Sequence, residues 1–345
     1  MLQIINLLSD TVTKPTKKML QAMFDAEVGD DVFREDPTVN ALQEKVAKLF
    51  GMEDALFFPS GTMANQVAIN IHANQAGQMI CDKWAHVYNF EGGGAAATSG
   101  VTSYLIDGNR GMFTVEQVKE GLHLNDNIHL PQTALVAIEN TTNKGGGACW
   151  DIAEIKKISN LCKQKGINFH LDGARLFNAI VAKNEAPKTY GTLFDTISIC
   201  LSKGLGAPIG SVLIGSKKHI TKALRVRKRL GGGMRQVGYL AAAGIYALDN
   251  HVNRLKEDHQ KAKKLEATLQ NCTYVKSVEP VETNIVIFNV NNSVKPEDFI
   301  LTMKQKGILL TEMGQGKIRM VTHLDITDEM IEKVINELKS FDFGA

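Results

Sequence analysis

A lysine among glycines is the residue in this sequence best suited to covalent chemistry. Lys203 lies in the segment Ser202-Lys-Gly-Leu-Gly206, directly after an apolar run that ends at Leu201. A lysine amine forms an imine with a carbonyl group, and partial removal of water favours its neutral, nucleophilic form. The glycines leave room for a large partner to approach that amine. Taken alone, Lys203 favours an exposed lysine in a turn, which is the commoner use of this residue.

An aspartate ends a second apolar run. Asp172 follows residues 167–171, which predict a buried strand, and ligands collect at the carboxyl edge of strands in open α/β sheets. A buried carboxylate needs a positive partner, and a protonated pyridine nitrogen would be one. The alternatives are a helix cap or, together with His170, a metal-hydrolase site. The metal site is the weaker alternative because the sequence offers few further ligands nearby.

Two more segments fit the same cofactor. Ser60-Gly61-Thr62 lies between a predicted strand and a predicted helix, where backbone amides, hydroxyls and the helix dipole form a cup for an anion. His86 lies on a loop, and a histidine can stack on an aromatic ring and still transfer a proton. Each signal is weak by itself, because strand–helix turns favour such residues and a lone histidine is usually a surface group. Together with Lys203 and Asp172 they describe an aldehyde cofactor with a pyridine ring and a phosphate.

The elements that must position these residues alternate along the first two-thirds of the chain. Short apolar runs predict strands, and helical spacing with capping signals predicts helices between them, such as Thr114 with Gln117 and Asp151 with Glu154. This pattern indicates an α/β fold with a mostly parallel sheet covered on both faces. The predicted strands are Ala55–Phe58, Met79–Cys81, Thr102–Ile106, Leu135–Glu139, Ile167–Asp172, Thr196–Leu201 and Ser211–Ile214.

A change of pattern follows a long predicted helix at 236–269. Beyond it, strands are expected at 283–290, 308–311 and 317–322 and helices at 296–306 and 328–339, which describes a smaller α+β unit. The expected domains are residues 1–250, with an N-terminal arm and the large cofactor-binding domain, and residues 251–345, with the small C-terminal domain.

Length and composition restrict the classes of protein to which the chain can belong. The chain has 345 residues, 44% hydrophobic and 22% charged, which is ordinary for a globular protein. A net charge of +2, without a long basic block, makes nucleic acid an unexpected partner, and no apolar run predicts a membrane span. The segment Gly210–Lys217 departs from the spacing of a nucleotide-binding loop. Five scattered cysteines predict neither a disulfide framework nor a zinc site and favour a reducing cytoplasm.

At these residues the chain resembles fold-type I pyridoxal-phosphate enzymes and, more narrowly, the low-specificity L-threonine aldolases. The resemblance covers nearly the whole chain, with its motifs in the same order. The matching motifs are Ser9-Asp-Thr-Val-Thr13, Gly29-Asp-Asp-Val32, Pro59-Ser-Gly-Thr-Met-Ala-Asn65, His86, Glu139-Asn-Thr141, His170-Leu-Asp-Gly-Ala-Arg175, Ser202-Lys-Gly-Leu-Gly-Ala-Pro208, Gly231-Gly-Gly-Met-Arg-Gln236 and Lys317-Ile-Arg-Met-Val-Thr-His323.

The resemblance implies a large domain with a mostly parallel seven-stranded sheet, pyridoxal 5′-phosphate as cofactor, and no metal. Lys203 would hold the cofactor as an internal aldimine, Asp172 would pair with the pyridine nitrogen and His86 would stack on the ring. The further cofactor-binding residues implied are Gly61, Thr62 and Ser202 for the phosphate, and Arg175.

The resemblance also assigns residues to the substrate. The residues implied are Ser9, Arg175, Arg319, His129, Lys228 and Arg235. The first three would hold the α-carboxylate, which a guanidinium fork matches in geometry. His129 would lie near the β-hydroxyl, and the last two near the mouth of the site, with Arg235 acting across a subunit interface.

The activity implied is retro-aldol cleavage of L-threonine or L-allo-threonine to glycine and acetaldehyde, through an external aldimine and a quinonoid intermediate. The base is left open between His86, His129 and a water held by either. Another pyridoxal-phosphate reaction on a small amino acid, such as β-elimination, transamination or cleavage of another β-hydroxy amino acid, is the alternative. A homo-oligomer with shared sites, either a dimer or a tetramer built as a dimer of dimers, is expected.

One departure from the family pattern is visible. Thr142 and Asn143 follow Glu139-Asn-Thr141, where many relatives have a histidine after the threonine, and Lys144-Gly-Gly-Gly147 comes next. Any role that the family gives to a histidine at this place is therefore in doubt for this chain, and so is its β-substituent preference.

Overall fold

Strands and helices alternate along most of the protein. The computed structural model describes residues 4–73, 75–124 and 127–341. The strands in these ranges are β1 (Ile5–Asn6), β2 (Asp54–Phe58), β3 (Gln78–Asp82), β4 (Thr102–Ile106), β5 (Thr133–Glu139), β6 (Asn168–Gly173), β7 (Thr196–Cys200), β8 (Ser211–Gly215), β9 (Val275–Val278), β10 (Ile285–Val290), β11 (Ile308–Leu309), β12 (Thr311–Glu312) and β13 (Lys317–Val321).

Helices connect and cover these strands. They are α1 (Lys17–Phe24), α2 (Pro37–Phe50), α3 (Gly61–His72), α4 (His86–Asn89), α5 (Gly94–Ser99), α6 (Val115–Glu120), α7 (Ile152–Lys165), α8 (Leu176–Lys183), α9 (Pro187–Gly191), α10 (Lys217–Arg229), α11 (Gly238–Asn250), α12 (Leu255–Leu269), α13 (Pro296–Gln305) and α14 (Asp328–Lys339). In the described ranges, none of them is both long and apolar enough to cross a membrane.

The central sheet has seven strands in the order β2-β8-β7-β6-β5-β3-β4. Only β8 runs against its neighbours, so the sheet is mostly parallel, as expected. Every residue of β3, β7 and β8 is buried, which agrees with the continuously apolar runs of strands covered on both faces. The register sets Glu139 beside Asp172 and Asp172 beside Ser198, so polar groups gather at the carboxyl edge.

Local signals fix where the covering helices begin and end. Helix α2 begins after Asp36, whose carboxylate accepts from the Val39 N–H, and it ends at Gly51, which has a φ of +65°. A residue in this left-handed conformation closes a helix at low cost only when it is glycine or a similar small residue. The predicted capping box of Thr114 and Gln117 is present at α6.

A second, antiparallel sheet has the order β12-β13-β10-β9 and packs against α12, α13 and α14. The N-terminal strand β1 pairs with β11, and Ile5 and Leu7 are buried in the core of this smaller unit. The N-terminal arm therefore reaches the C-terminal part of the chain. The division into residues 1–250 and 251–345 stays a prediction.

Three local expectations differ from the structure. The long helix expected at 236–269 is two helices, because the chain turns at residues 251–254 between α11 and α12. The strand expected at 308–311 is split between β11 and β12, which belong to different sheets. Asp151 caps α7, but the Glu154 carboxylate accepts from the Val115 N–H and pairs with Lys157 instead of closing a capping box.

Candidate active site

Asp172 lies at the carboxyl edge of the central sheet and is 3% exposed. Its Oδ2 accepts a hydrogen bond from Asn65 Nδ2 at 3.0 Å, and its Oδ1 accepts from the Ala174 N–H at 3.1 Å. Both donors are neutral amides. Among the residues that the structure describes, no cation forms an ion pair with this carboxylate, which leaves a buried negative charge for a ligand to balance.

Lys203 is half-buried in the turn that follows β7, the strand next to that of Asp172. Its carbonyl accepts from the Gly206 N–H at 2.8 Å, and Gly206 has a φ of +79°. A Cβ at Gly204 would lie 3.0 Å from Leu255 Cδ2. The glycines therefore allow a tight turn with close packing around the lysine. Ser202, also half-buried, precedes it directly.

The start of α3 has the features of an anion cup. Ser60 is the N-cap, and its hydroxyl accepts from the Met63 N–H at 3.2 Å. A Cβ at Gly61 would lie 2.7 Å from Cys200 Sγ, so this position admits no side chain without a shift. Thr62 is exposed on the first turn. The first N–H groups of a helix have no partner within it and attract anions such as phosphate.

His86 begins α4 and is oriented by two buried carboxylates. Its Nδ1 lies 2.9 Å from Glu91 Oε1, and its backbone N–H donates to Glu139 Oε2 at 3.0 Å. Burial tends to lower the pKa of His86, but Glu91 and Asp172 outweigh burial and raise it. The imidazole is 31% exposed, so part of the ring remains accessible.

Glu139 is a buried carboxylate that the sequence analysis assigned no role. Burial, followed by the charge of Asp172, raises its pKa to about 7. Its second oxygen accepts from the Asn143 N–H at 2.9 Å. One carboxylate thus ties the backbone at His86 to the loop that departs from the family pattern.

Arg175 is buried and forms a two-pronged ion pair. Its Nε and Nη2 donate to the two oxygens of Asp10 at 2.8 and 2.7 Å. Burial tends to raise the pKa of Asp10, but the attraction of Arg175 outweighs it and lowers the pKa to about 2. Two guanidinium nitrogens are thus committed to a protein carboxylate, and Nη1 takes no part in that fork.

Arg319 lies where the N-terminal arm meets β13. It donates from Nη1 to Asn143 Oδ1 at 2.9 Å and from Nη2 to the Leu8 carbonyl at 3.0 Å. Its Nε is buried and has no partner within the described chain. Burial and the charge of Arg175 lower the pKa of Arg319. Ser9 follows Leu8, and its hydroxyl accepts from the Thr11 N–H at 3.2 Å. The positive charges of Arg175 and Arg319 therefore lie close to each other, with the carboxylate of Asp10 beside them. This excess of positive charge favours an anionic ligand.

Three predicted residues lie apart from this cluster. His129 is exposed, and its backbone N–H donates to Asn127 Oδ1 at 3.0 Å. Lys228 is exposed at the end of α10. Arg235 forms an ion pair with Asp30 at 2.8 Å and lies over the Phe33 ring. Within the part of the chain that the structure describes, the side chains of His129, Lys228 and Arg235 form no hydrogen bond or ion pair with the cluster around Asp172 and Lys203.

Three residues of the cluster were not predicted as site residues: Asn65, Glu91 and Asn143. Asn65 ends the quoted motif that begins at Pro59, and Asn143 lies in the noted departure, so both were visible but had no assigned chemistry. Glu91 precedes Gly92-Gly-Gly94, and an acidic residue there gives no local signal of burial. Its role depends on contacts with residues 25 and 26 positions away, Gln66 and Asn65.

The fold and the cluster define a class of protein. A mostly parallel seven-stranded sheet together with a smaller antiparallel sheet is the fold of fold-type I pyridoxal-phosphate enzymes. Threonine aldolase from Leishmania major has this fold with a TM-score of 0.84 at 22% identity, over 97% of this chain and 98% of that one. Serine palmitoyltransferase from Sphingomonas wittichii also has it, with a TM-score of 0.76 at 14% identity over 98% and 86%.

Sequence comparison identifies the family within that class. The beta-eliminating lyase family matches residues 6–293. The low specificity L-threonine aldolase of Escherichia coli strain K12 is 40% identical over 98% of this chain and 99% of that protein. Low-specificity L-threonine aldolase 1 of Arabidopsis thaliana is 38% identical over 94% and 92%. The chain belongs to the beta-eliminating lyase family, among the low-specificity L-threonine aldolases.

Proposed function

We propose that this enzyme cleaves L-threonine and L-allo-threonine to glycine and acetaldehyde with pyridoxal 5′-phosphate at the carboxyl edge of the central sheet. The environment of Asp172 carries the proposal. Its carboxylate is buried. Within the part of the chain that the structure describes, its hydrogen-bond donors are two neutral amides, those of Asn65 and Ala174. A protonated pyridine nitrogen supplies the missing positive charge.

The neighbouring residues fit the rest of this cofactor. Lys203 would bind its aldehyde, and the amides at the start of α3, with Thr62 and Ser202, would bind its phosphate. Glycine at position 61 lets the start of α3 lie close to the end of β7, because a Cβ there would meet Cys200 Sγ. When bound, pyridoxal phosphate supplies the electron sink for the bond that breaks at the substrate Cα.

The substrate carboxylate would lie between Arg319 and Arg175, beside Ser9. Arg319 has a buried Nε–H without a partner in the described chain, and Nη1 of Arg175 lies outside the fork with Asp10. A fixed carboxylate sets the rotation of the substrate, so that the Cα–Cβ bond is the bond held for cleavage.

His86 is the base that the geometry favours. Because Nδ1 is bonded to Glu91, Nε2 remains to take the proton of the β-hydroxyl. As that proton leaves, the β-carbon becomes the carbonyl carbon of acetaldehyde and the Cα–Cβ bond breaks. The Cα then gains a proton to give glycine. His129 is exposed, and it would serve only from another arrangement of its loop or another subunit.

A product assay tests this proposal. Purified enzyme loaded with pyridoxal phosphate is given L-threonine, L-allo-threonine or L-serine, and acetaldehyde, glycine, ammonia and 2-oxo acids are measured. We expect acetaldehyde and glycine in equal amounts from both threonine isomers. Ammonia and a 2-oxo acid in place of glycine would show β-elimination and would overturn the aldolase proposal, while leaving the cofactor site intact.

The proposal extends to a homo-oligomer, a tetramer built from dimers, with sites shared between subunits. Phe24 and Leu20 on α1 are 81% and 50% exposed, which favours a covered surface. Lys228 and Arg235 are exposed cations that lie apart from their own subunit's site and would serve a neighbour's. The unpaired cysteines favour a reducing cytoplasm, where the enzyme would degrade threonine and form glycine.

Subunit complementation tests the shared site. A mixture of Lys203→Ala and Arg235→Ala subunits, dissociated and reassembled, forms hybrids in which one site has both intact residues. We expect the mixture to regain activity that neither variant has alone. No recovery, with hybrids verified by differently tagged subunits, would place Arg235 in its own subunit's site or in none.

A further inference from the structure

One buried amide joins the two carboxylates nearest to the expected cofactor ring. Asn65 on α3 is 2% exposed, and its Nδ2 donates to Asp172 Oδ2 at 3.0 Å and to Glu91 Oε1 at 2.9 Å. The same Glu91 oxygen lies 2.9 Å from His86 Nδ1. A single side chain therefore lies between the group that would meet the ring nitrogen and the group that holds the stacking histidine.

The orientation of this amide is fixed from its other end. Ser198 Oγ donates to Asn65 Oδ1 at 2.6 Å, and His170 Nε2 lies 3.3 Å from the same oxygen. Burial lowers the pKa of His170 to about 4, so the ring is neutral at pH 7 and carries one proton. Its Nδ1 lies 2.9 Å from the Thr196 hydroxyl and 3.2 Å from the Thr196 carbonyl, so the donor that fixes Asn65 Oδ1 is the Ser198 hydroxyl. The amide oxygen is thus satisfied, and the NH₂ group faces the carboxylates.

Glu91 is held equally firmly. Its side chain is fully buried, and Gln66 Nε2 donates to its second oxygen. With donors on both oxygens, Glu91 remains an acceptor for His86, which places the imidazole proton on Nδ1 and leaves Nε2 for other partners.

A cation site is the competing interpretation of this cluster. One ligand atom from each of His86, Glu91 and Asp172 lies within 4.8 Å of the others. The two N–H groups of Asn65 point at the carboxylate oxygens that a cation would need. The arrangement is therefore that of a hydrogen-bonded unit and not of an open set of ligands.

We propose that Asn65 is a positioning residue that sets the places of Asp172 and of the Glu91–His86 pair together, and so fixes both contacts to the cofactor's pyridine ring. The inference rests on the function proposed for this site. It predicts that loss of the Asn65 amide weakens cofactor binding and disturbs His86 through Asp172 and Glu91, without requiring a contact between Asn65 and the cofactor or substrate.

Two variants at Asn65 separate positioning from a merely structural role. Asn65→Ala removes the amide, and Asn65→Asp keeps its shape but replaces the NH₂ donors with an oxygen that repels Asp172 and Glu91. The readouts are the dissociation constant of pyridoxal phosphate, from titration of its visible absorption band, and the thermal melting of the apoenzyme. Asn70→Ala is the matched control, because Asn70 lies on the same helix and donates to the Thr98 carbonyl instead.

We expect the dissociation constant to rise about 10–100-fold in Asn65→Ala, which is typical for loss of a hydrogen bond to a charged group. It should rise further in the isosteric Asn65→Asp and stay unchanged in Asn70→Ala. If the Asn65 variants melt earlier but their folded fraction binds the cofactor like the wild type, or if Asn65→Asp binds better than Asn65→Ala, the inference is wrong.

Glu91→Gln tests the connection to His86. The charged groups that face this imidazole are Glu91, Asp172 and Glu139, and Glu91 raises its pKa. Removing that charge lowers the pKa of His86, so the acid limb of kcat/KM should move to lower pH. An unmoved acid limb would contradict the proposed connection.

The readouts keep this inference apart from the proposed function. If the wild type binds pyridoxal phosphate but releases no acetaldehyde, the proposed reaction fails while the binding and absorption data still decide the role of Asn65. If the wild type binds no pyridoxal phosphate at all, both proposals fail.

Discussion

The two sides of the candidate site carry opposite charge imbalances. The ring side, made of Asn65, His86, Glu91 and Asp172, has two buried carboxylates joined by a neutral amide. The carboxylate side, made of Asp10, Asn143, Arg175 and Arg319, has two guanidinium groups and one carboxylate. The protein thus leaves a cation to be supplied on one side and an anion on the other, as an amino acid on a protonated pyridine cofactor would supply them.

The two buried aspartates show the difference most clearly. Asp10 is fully buried, but Arg175 balances its charge and lowers its pKa to about 2. Asp172 is nearly as buried and has only neutral donors in the described chain. Burial of a carboxylate therefore does not by itself indicate function. At Asp172 the lack of a cationic partner coincides with a place at the carboxyl edge of the sheet, next to the strand that leads to Lys203.

Lys203→Ala should have the largest effect, because it removes the only group proposed to bind the cofactor's aldehyde. We expect loss of the visible absorption band of the bound cofactor and loss of measurable acetaldehyde release, with thermal melting close to that of the wild type. Spectroscopy and the coupled reductase assay on one preparation check both. Full activity in this variant would remove Lys203 from the chemistry.

His86→Asn should lower kcat by about 10²–10⁴-fold, the usual contribution of a general base. His129→Ala is the matched comparison, since this histidine is exposed and apart from the ring side. We expect it to retain most of the activity. Steady-state kinetics on both variants decide which histidine is the general base. A larger loss of kcat in His129→Ala would make His129 the base.

Arg319→Lys should raise KM by roughly 10–100-fold and change kcat less, because a lysine cannot make the paired hydrogen bonds of a guanidinium fork. Asn143→Ala, which removes one neutral acceptor of Arg319, should raise KM only a few-fold. Equal effects of the two variants would mean that Asn143 contacts the substrate itself.

Asp10→Asn should mainly lower the free energy of unfolding, by about 3–5 kcal/mol at neutral pH, because it leaves Arg175 buried without its counter-charge. Folding lowers the pKa of Asp10 from 3.8 to about 2. The difference in unfolding free energy between the wild type and Asp10→Asn is therefore complete above pH 3.8 and declines as pH falls toward 2. Urea unfolding at several pH values measures it. A difference that persists unchanged at low pH would contradict this origin.

Much of the large domain's fold is predictable from the sequence, because strands buried on both faces leave continuous apolar runs. The boundaries expected for β4 and α14 coincide with those observed, and those of the other central strands differ by at most two residues at either end. The break between α11 and α12 was not predictable, since residues 251–254 contain neither glycine nor proline.

The site was predictable only where a residue and its sequence neighbours carry a chemical signal. Lys203, Asp172 and Gly61 have such signals. Glu91 does not, because two of its three partners, Asn65 and Gln66, lie on α3, 26 and 25 positions away, and no local pattern encodes those contacts. Arg175 shows the converse, since its pairing with Asp10 crosses 165 positions and removes most of the fork expected for substrate.

The protonation of the cofactor's ring nitrogen tests the central claim most directly. Nitrogen-15 NMR of enzyme loaded with ring-labelled pyridoxal phosphate, in the wild type and in Asp172→Asn, reports that state. We predict a protonated nitrogen in the wild type at pH 7 to 8 and an unprotonated one in the variant. An unprotonated nitrogen in the wild type, or the same state in both proteins, would contradict the role of Asp172 and the charge balance inferred for the ring side.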